Sequence, residues 1–192
     1  LSVLQALLVY GLIVVTGFAM QVIFVYGPLL KIFAGMGILE FLRKVWEVEL
    51  VAFSTSSSSA TLPVTLRCTQ EKLGVSKEIS SFVLSLGSTI NMNGTALYLG
   101  VATIFVAQVF GVELDITQQI TIILIATLSA IGTPGIPGGS IVFLAIILES
   151  LSIPTVGIAI VMGIDRILDM FRTTINVMGD ITASVFIQST EK

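Results

Sequence analysis

Three long stretches without a single charged residue most constrain how this chain can fold. They cover residues 1–30, 79–112 and 116–148. Each is longer than the roughly 20 apolar residues with which a helix spans a bilayer. Charged residues make up 11% of the chain, against about a quarter in soluble domains, and the mean hydropathy is +1.04. These features predict an all-α integral membrane protein and exclude a soluble binding module.

The positions of the basic residues predict the topology. The short connections at 113–115 and 149 contain no Lys or Arg. Because Lys and Arg concentrate in cytoplasmic loops, the region 31–78 is expected to face the cytoplasm and these two connections the outside. The basic residues of the cytoplasmic region are Lys31, Arg43, Lys44, Arg67, Lys72 and Lys77.

The segment 50–66, LVAFSTSSSSATLPVTL, has basic flanks on both sides. It should therefore enter the membrane from the cytoplasm and return to it, since it is too short to cross twice. Its centre, 54–63, is a turn-forming run of serines that ends in proline. We predict a re-entrant hairpin here and call it hairpin one.

The segment 116–148 has acidic connections at both ends. As a single helix it would be about 50 Å long, whereas the hydrocarbon core is about 30 Å thick. Its middle, GTPGIPGG at 132–139, cannot be continuous helix because Gly and Pro disfavour one so strongly. We predict a second re-entrant hairpin, hairpin two, which enters from the outside.

Three crossing helices complete the predicted architecture. They cover 1–34, 79–112 with a break at NMNGT (91–95), and 155–188. Two broken segments of opposite orientation are typical of an inverted-repeat transporter core whose site lies near the bilayer midplane. Irregular backbone at that depth must be buried in protein or line a cavity. The alternative is that both breaks are surface loops between ordinary short helices.

The last crossing segment concentrates charge unusually for such an apolar chain. Charges are costly in lipid, so the helix face that carries them should point to the protein interior or to a polar cavity. A self-neutralising ladder of ion pairs is one interpretation. Three Asp and one Arg leave a net charge of −2, however, which favours a site for cations and a ligand amino group. Spacings of 4, 3, 4 and 4 residues put five side chains on this face: Asp165, Asp169, Arg172, Asn176 and Asp180.

Four motifs in order, SSSSATLP, NMNGTALY, GTPGIPGG and DMFRTTINVMGD, resemble the glutamate transporter family of dicarboxylate/amino acid:cation symporters. The resemblance covers essentially all of the chain. It implies that residues 1–192 are the C-terminal part of a transport domain, with the scaffold domain outside the chain. It also implies a secondary active symporter that takes up acidic amino acids, aspartate or glutamate, with sodium by an elevator-type alternating-access mechanism.

The same resemblance implies a substrate site at the hairpin tips and the last helix. Asp169 would pair with the substrate amino group, Arg172 with its side-chain carboxylate and Asn176 with its main-chain carboxylate. The tip of hairpin two would be the extracellular gate. The implied substrate-binding residues are Ser56, Ser57, Ser58, Thr95, Ile136, Pro137, Gly138, Gly139, Ser140, Asp169, Arg172, Thr173 and Asn176.

Two sodium sites are implied as well, built from the oxygen ligands that hard cations prefer. The first would use the carboxylate of Asp180 and three carbonyls, those of Gly87, Asn91 and Asn176. The second would use the sulfur of Met92 and four carbonyls, those of Thr89, Ala130, Ile131 and Thr133.

Two positions depart from the family pattern. The usual motif at 91–95 is Asn-Met-Asp-Gly-Thr, and Asn93 stands where the acid contributes to a third sodium site, so two coupled ions are expected. Relatives carry a further arginine at the position of Ser56 or of Met170. Arg166, one helical turn before Met170, is a candidate substitute.

Other functions remain open at this stage. Within the family, Arg172 favours acidic over neutral substrates and Asp169 favours amino acids over dicarboxylates, while proton coupling is the alternative to sodium. A passive ion channel is the alternative from another class. An enzyme is not expected, because the serines at 54–59 have no His or Lys within reach as base and the buried Asp residues all lie on one helix.

The resemblance also implies partners and location. We expect a multi-pass protein of the cell membrane, surrounded by lipid, that forms a homotrimer through its scaffold domain. No nucleic-acid partner is expected.

Overall fold

Helices make up nearly all of the computed structural model, which describes residues 3–191, and no strand occurs in that range. The prediction of an all-helical chain is confirmed, although residues 1, 2 and 192 of the predicted segments lie outside the described range. The elements are α1 (Val3–Gln21), a π-helical turn (Val22–Tyr26), α2 (Gly27–Ala34), α3 (Ile38–Thr55), α4 (Ser58–Leu73), α5 (Lys77–Ile90), α6 (Asn93–Val109), α7 (Ile116–Gly132), α8 (Ser140–Ser150), a 3-10 turn (Thr155–Gly157) and α9 (Ile158–Thr190).

Two segments within 3–191, Val3–Ala34 and Lys77–Val109, are long and apolar enough to cross a membrane by length and composition. The first runs from α1 through the π-helical turn into α2. The second is interrupted between α5 and α6 at Asn91 and Met92, within the break that NMNGT predicts. This interruption leaves the last carbonyls of α5 without partners inside their own helix.

Hairpin one consists of α3 and α4, which pack against each other across a two-residue turn. Ser56 has a positive φ of 51°, and Ser57 is the N-cap residue of α4. The predicted turn at 54–63 is wrong in extent, since residues 58–63 are helical. The Ser57 hydroxyl accepts a hydrogen bond from the Ala60 N–H at 3.1 Å. The serine therefore caps α4 and starts a helix rather than prolonging the turn.

Hairpin two consists of α7 and α8, and here the predicted break agrees with the structure. Helix α7 ends at Gly132 and α8 begins at Ser140. The residues between them are not α-helical, and Gly138 has a φ of 73°. The sequence thus positions this tip accurately, because two prolines and several glycines disfavour helix over the whole interval.

The long helix α9 lies at the centre of the fold. It packs against α1, α2, α3, α4, α5 and α6, so both hairpin one and the broken helix rest on it. The outer helices instead expose large apolar side chains, such as Leu4 at 78% and Ile116 at 76%. An all-helical chain with this apolar surface is consistent with an all-α membrane protein.

Candidate functional site

The polar stripe of α9 is buried along its whole length. Asp165, Asp169, Asn176 and Asp180 are all buried, and Arg172 is only 2% exposed. The stripe thus faces the protein interior, as its charge predicts. Because burial makes charged groups depend on their partners, the contacts of these five side chains define the site.

Arg172 is held by two carboxylates and one aromatic ring. Its Nη2 lies 2.7 Å from Asp169 Oδ1 and its Nη1 lies 3.4 Å from Asp165 Oδ1. The guanidinium carbon lies 4.1 Å from the centroid of the Tyr98 ring, a cation–π geometry. Tyr98 was not predicted as a site residue, because a tyrosine in an apolar helix carries no signal of which cation it will cover.

Asn176 ties α9 to the start of α6. Its Oδ1 accepts from the N–H groups of Gly94 at 2.8 Å and Thr95 at 3.3 Å. Its Nδ2 lies 3.2 Å from both the Met92 sulfur and the Thr95 hydroxyl. The amide therefore binds the N–H groups that begin α6, which are free because the helix is broken just before them.

Asp180 lies against the other side of the break. Asn91 Nδ2 donates to its Oδ1 at 2.8 Å. A Cβ at Gly87 would lie 2.5 Å from the same oxygen, so only glycine lets α5 approach this carboxylate so closely. Asp180 forms no ion pair with any residue in 3–191. This buried carboxylate lies beside the carbonyl end of α5, with one amide donor and no counter-charge among residues 3–191. Such a position suits a bound cation.

Asn93 takes part in a neutral network on the far side of α6. Its Nδ2 lies 3.2 Å from Tyr26 Oη, and that hydroxyl donates to the carbonyl of Ile175 at 3.0 Å. The network joins the π-helical turn, α6 and α9 without a formal charge. Uncharged groups therefore stand where the family pattern has an acid.

The tips of the two hairpins meet over the stripe. Ser57 Oγ donates to the Gly135 carbonyl at 2.6 Å, and the Ser59 N–H donates to the same oxygen at 3.2 Å. A Cβ at Gly135 would lie 2.7 Å from the Ser88 carbonyl, so glycine permits this close packing. From hairpin two, the Gly138 N–H donates to Asp169 Oδ2 at 2.9 Å.

A small cavity lies between the tips and α9. It measures about 10 Å³, which is room for about one water molecule. The hydroxyls of Ser56 and Ser140 are buried at this place and have no hydrogen-bond partner among the described residues. The residues around the cavity are Ser56, Ser58, Met92, Thr95, Thr133, Pro134, Gly135, Ile136, Gly139, Ser140, Asp169, Arg172, Thr173 and Asn176.

Ten of the predicted substrate residues line this cavity, and three do not. Ser57 holds the hairpin tips together instead, and Gly138 contacts Asp169 through its N–H. Pro137 and Gly138 line a neighbouring depression together with the exposed Arg166, and Asp169 borders both places. Arg166 does not line the cavity itself, and its role as a substitute for the missing arginine stays a prediction.

The predicted sodium ligands fall into two neighbouring places. Gly87 and Asn91 contact Asp180. Asn176, one helical turn before Asp180 on α9, contacts Met92 and Thr95 instead. Of the second predicted set, Met92 and Thr133 line the cavity and Ala130 accepts from the Thr133 N–H at 3.3 Å. The side chains of Thr89 and Ile131 point outward, but their predicted ligands are backbone carbonyls.

Comparison with known proteins identifies the family. The profile of the sodium:dicarboxylate symporter family matches residues 1–190. The chain is 45% identical over 176 residues to human excitatory amino acid transporter 5, covering 91% of this chain and 31% of that protein. It is 48% identical over 138 residues to mouse neutral amino acid transporter B(0), covering 72% and 25%.

A third relative aligns along the full chain. Mouse excitatory amino acid transporter 3 is 38% identical over 191 residues, covering 100% of this chain and 36% of that protein. The chain therefore belongs to the sodium:dicarboxylate symporter family, which confirms the resemblance seen in the four motifs. The chain spans 31% of the length of human excitatory amino acid transporter 5.

Proposed function

We propose that this chain is the substrate- and ion-binding part of a secondary active symporter that takes up acidic amino acids with sodium. The observation that carries the proposal is the buried Asp169–Arg172 pair, enclosed by the tips of two helical hairpins. One fixed anion and one fixed cation in a shared cavity suit a ligand that carries both charges. The family membership of the chain supports transport as the activity.

Each charge has a partner in an acidic amino acid. The ammonium would take the place of Arg172 on Asp169, and the released guanidinium would bind the side-chain carboxylate through two parallel hydrogen bonds. The unpaired hydroxyls of Ser56 and Ser140 would then gain partners, since each can donate to a substrate carboxylate. Asn176 and Thr95 lie beside the same cavity as further polar contacts.

A neutral amino acid is the second candidate substrate, because one relative is named a neutral amino acid transporter. The ion pairs of Arg172 favour this candidate. Arg172 is already paired with Asp165 and Asp169, so its charge can be neutralised without a ligand carboxylate. The substrate side chain would then need only space, and the arginine would stay bound to Asp165.

Sodium coupling is supported by the buried Asp180 carboxylate, which has no counter-charge among residues 3–191, and by the name of the family. The Asp180 carboxylate, with Gly87 and Asn91 beside it, would hold one ion. The carbonyls around Met92 and Thr133 would hold a second ion close to the substrate. We propose two ions rather than three, because Asn93 is bound to Tyr26 in a network without charge.

The proposed transport cycle depends on the two hairpins. We propose that both are re-entrant, hairpin one from the cytoplasm and hairpin two from the outside. The crossing segments would be 1–34, 79–112 and 155–188, with hairpin one before the second of them and hairpin two after it. The cavity is far too small for an amino acid, so hairpin two must lift to admit one. Its tip touches the rest of the site through the Gly135 and Gly138 contacts, which such a movement would break.

The surroundings of the chain follow from the same proposal. The binding unit would move as an elevator against a scaffold domain, in a homotrimer of the cell membrane. Many exposed apolar side chains on α1 and α7 would then contact lipid or other parts of the full-length protein. A passive channel is the competing reading and requires no such movement.

Uptake of radiolabelled aspartate by the full-length protein in liposomes tests the proposal. We expect saturable accumulation that needs an inward sodium gradient and collapses when the gradient is removed. Uptake of serine under the same conditions tests the neutral alternative. Ion conduction without accumulation of any amino acid would support the channel and overturn the symporter.

A further inference from the structure

Helix α3 carries two glutamates, two residues apart, in very different surroundings. The Glu47 side chain is 42% exposed, and its Oε2 accepts from Lys72 Nζ at 2.9 Å. This cation lowers the pKa of Glu47, which precedes the predicted membrane segment at 50–66. Glu49 has no such partner. Both of its carboxylate oxygens are buried, and neither has a hydrogen-bond partner among residues 3–191.

The position of Glu49 explains this burial. It lies one turn after Val45 and one turn before Ala52, beside the buried stripe by which α3 packs on its neighbours. Helix α3 packs chiefly against α4 and α9. Glu49 is seven residues before Ser56, which is about 10 Å along the helix from the tip of hairpin one. The carboxyl therefore lies about two helical turns from the tip of hairpin one, on the side that the proposed topology assigns to the cytoplasm.

Glu49 forms no ion pair with any residue in 3–191. Lys72 is bound to Glu47, and Lys44 is bound to Glu40 at 3.0 Å. Two titratable side chains near it, Tyr26 and Cys68, donate elsewhere, to the carbonyls of Ile175 and Lys44. Of the other charged groups, Glu47, Arg67 and Lys72 lie near Cys68, and Asp180 lies near Tyr26.

An ionised carboxylate in this position would be a buried charge without a counter-charge or a hydrogen bond, which proteins avoid by neutralising the group. A protonated carboxyl removes the charge and leaves only a small polar group to bury. We propose that Glu49 is a proton-binding site: it holds one proton while α3 is packed as in this structure and releases it to water when that packing opens on the cytoplasmic side.

This site has a consequence for transport, and that consequence rests on the proposed function. If the state packed as here binds the Glu49 proton more tightly than the open state, acid favours the packed state and alkali favours the open one. Raising the cytoplasmic pH would then promote the opening of hairpin one and the release of substrate. The proton site itself requires only the fold.

Infrared spectroscopy of the full-length protein tests the proton site independently of transport. Glu49→Gln is nearly isosteric with the protonated carboxyl, so it is expected to fold. Its difference spectrum against the unmodified protein at pH 7 should show the loss of one protonated-carboxyl band. Glu47→Gln, the matched control on the same helix, should keep that band. An unchanged band in Glu49→Gln would show that Glu49 is ionised and would overturn the proposal.

A second measurement tests the coupling. Aspartate release from preloaded liposomes, with the cytoplasmic face of the protein exposed to the bath, should accelerate at least threefold as the bath pH rises from 6 to 8. Glu49→Gln should lose this dependence and Glu47→Gln should retain it. An equal pH dependence in all three proteins would refute the coupling. If Glu49→Gln loses the band but the unmodified protein transports no aspartate, the proton site is retained and the proposed function is rejected.

Discussion

Replacement of Arg172 by threonine should abolish the binding of acidic amino acids. Among residues 3–191, Arg172 is the only basic residue that lines the cavity, and it is 2% exposed, so a substrate carboxylate would lose its one fixed cation there. Hydrogen bonds to charged groups contribute about 1.5–3 kcal/mol each, and a bidentate contact has two. The loss is therefore at least about 3 kcal/mol, which weakens affinity by at least about 100-fold.

The same substitution also strains the free protein. Arg172 forms ion pairs with Asp165 and Asp169, and removal of one partner from a buried ion pair typically costs about 3–5 kcal/mol of stability. The double variant Arg172→Thr/Asp165→Asn takes away one stranded carboxylate and should recover much of the thermal stability. If it still fails to bind aspartate, misfolding does not explain the loss.

Calorimetric titration with aspartate and with serine, in saturating sodium, is the appropriate assay. Arg172→Thr should lose aspartate binding, while serine binding is retained or gained. Arg166→Thr is the matched control, since Arg166 is exposed and outside the cavity lining, and its aspartate affinity should stay within a few-fold. Aspartate affinity that survives within a few-fold in Arg172→Thr would refute the role of Arg172 and the assignment of an acidic substrate.

Three further substitutions test the remaining polar groups. Asp169→Asn should remove amino acid binding because a buried ammonium loses its counter-charge; unchanged affinity by calorimetry would place Asp169 in a structural ladder. Asp180→Asn should strongly weaken sodium-dependent substrate binding, measured as aspartate affinity against sodium concentration, and no change would exclude this carboxylate as a ligand. Asn93→Asp should steepen the log–log slope of that titration or raise sodium affinity. A slope near three in the unmodified protein would contradict the two-ion proposal.

The sequence located the interruptions of the helices well in one hairpin and less well in the other. GTPGIPGG breaks the helix over its whole length, because Gly and Pro act through their own backbone. The serine run of hairpin one was predicted as a turn, yet most of it is helical. Serine has no fixed backbone preference of this kind, and its effect depends on whether its hydroxyl caps a helix or joins a turn.

The stripe on α9 could be predicted because its members are close in sequence. Helical geometry alone puts Asp165, Asp169 and Arg172 on one face, and the apolar composition of the chain requires that face to be buried. The family motifs added candidate roles for these residues. The partners that complete the site could not be predicted in this way, because they come from the tips of the two hairpins and from α5 and α6, far away in the chain.

Local patterns in the sequence predict the local properties: all-helical structure, the break between α5 and α6, the break in hairpin two, and one charged face on α9. Which groups meet depends on the packing of the helices. Tyr98 covers Arg172, Ser57 binds Gly135 across 78 residues, and Glu49 has no hydrogen-bond partner among residues 3–191. The physical reason is that backbone preference and helical period act over a few residues, whereas the partner of a buried polar group depends on how distant helices pack.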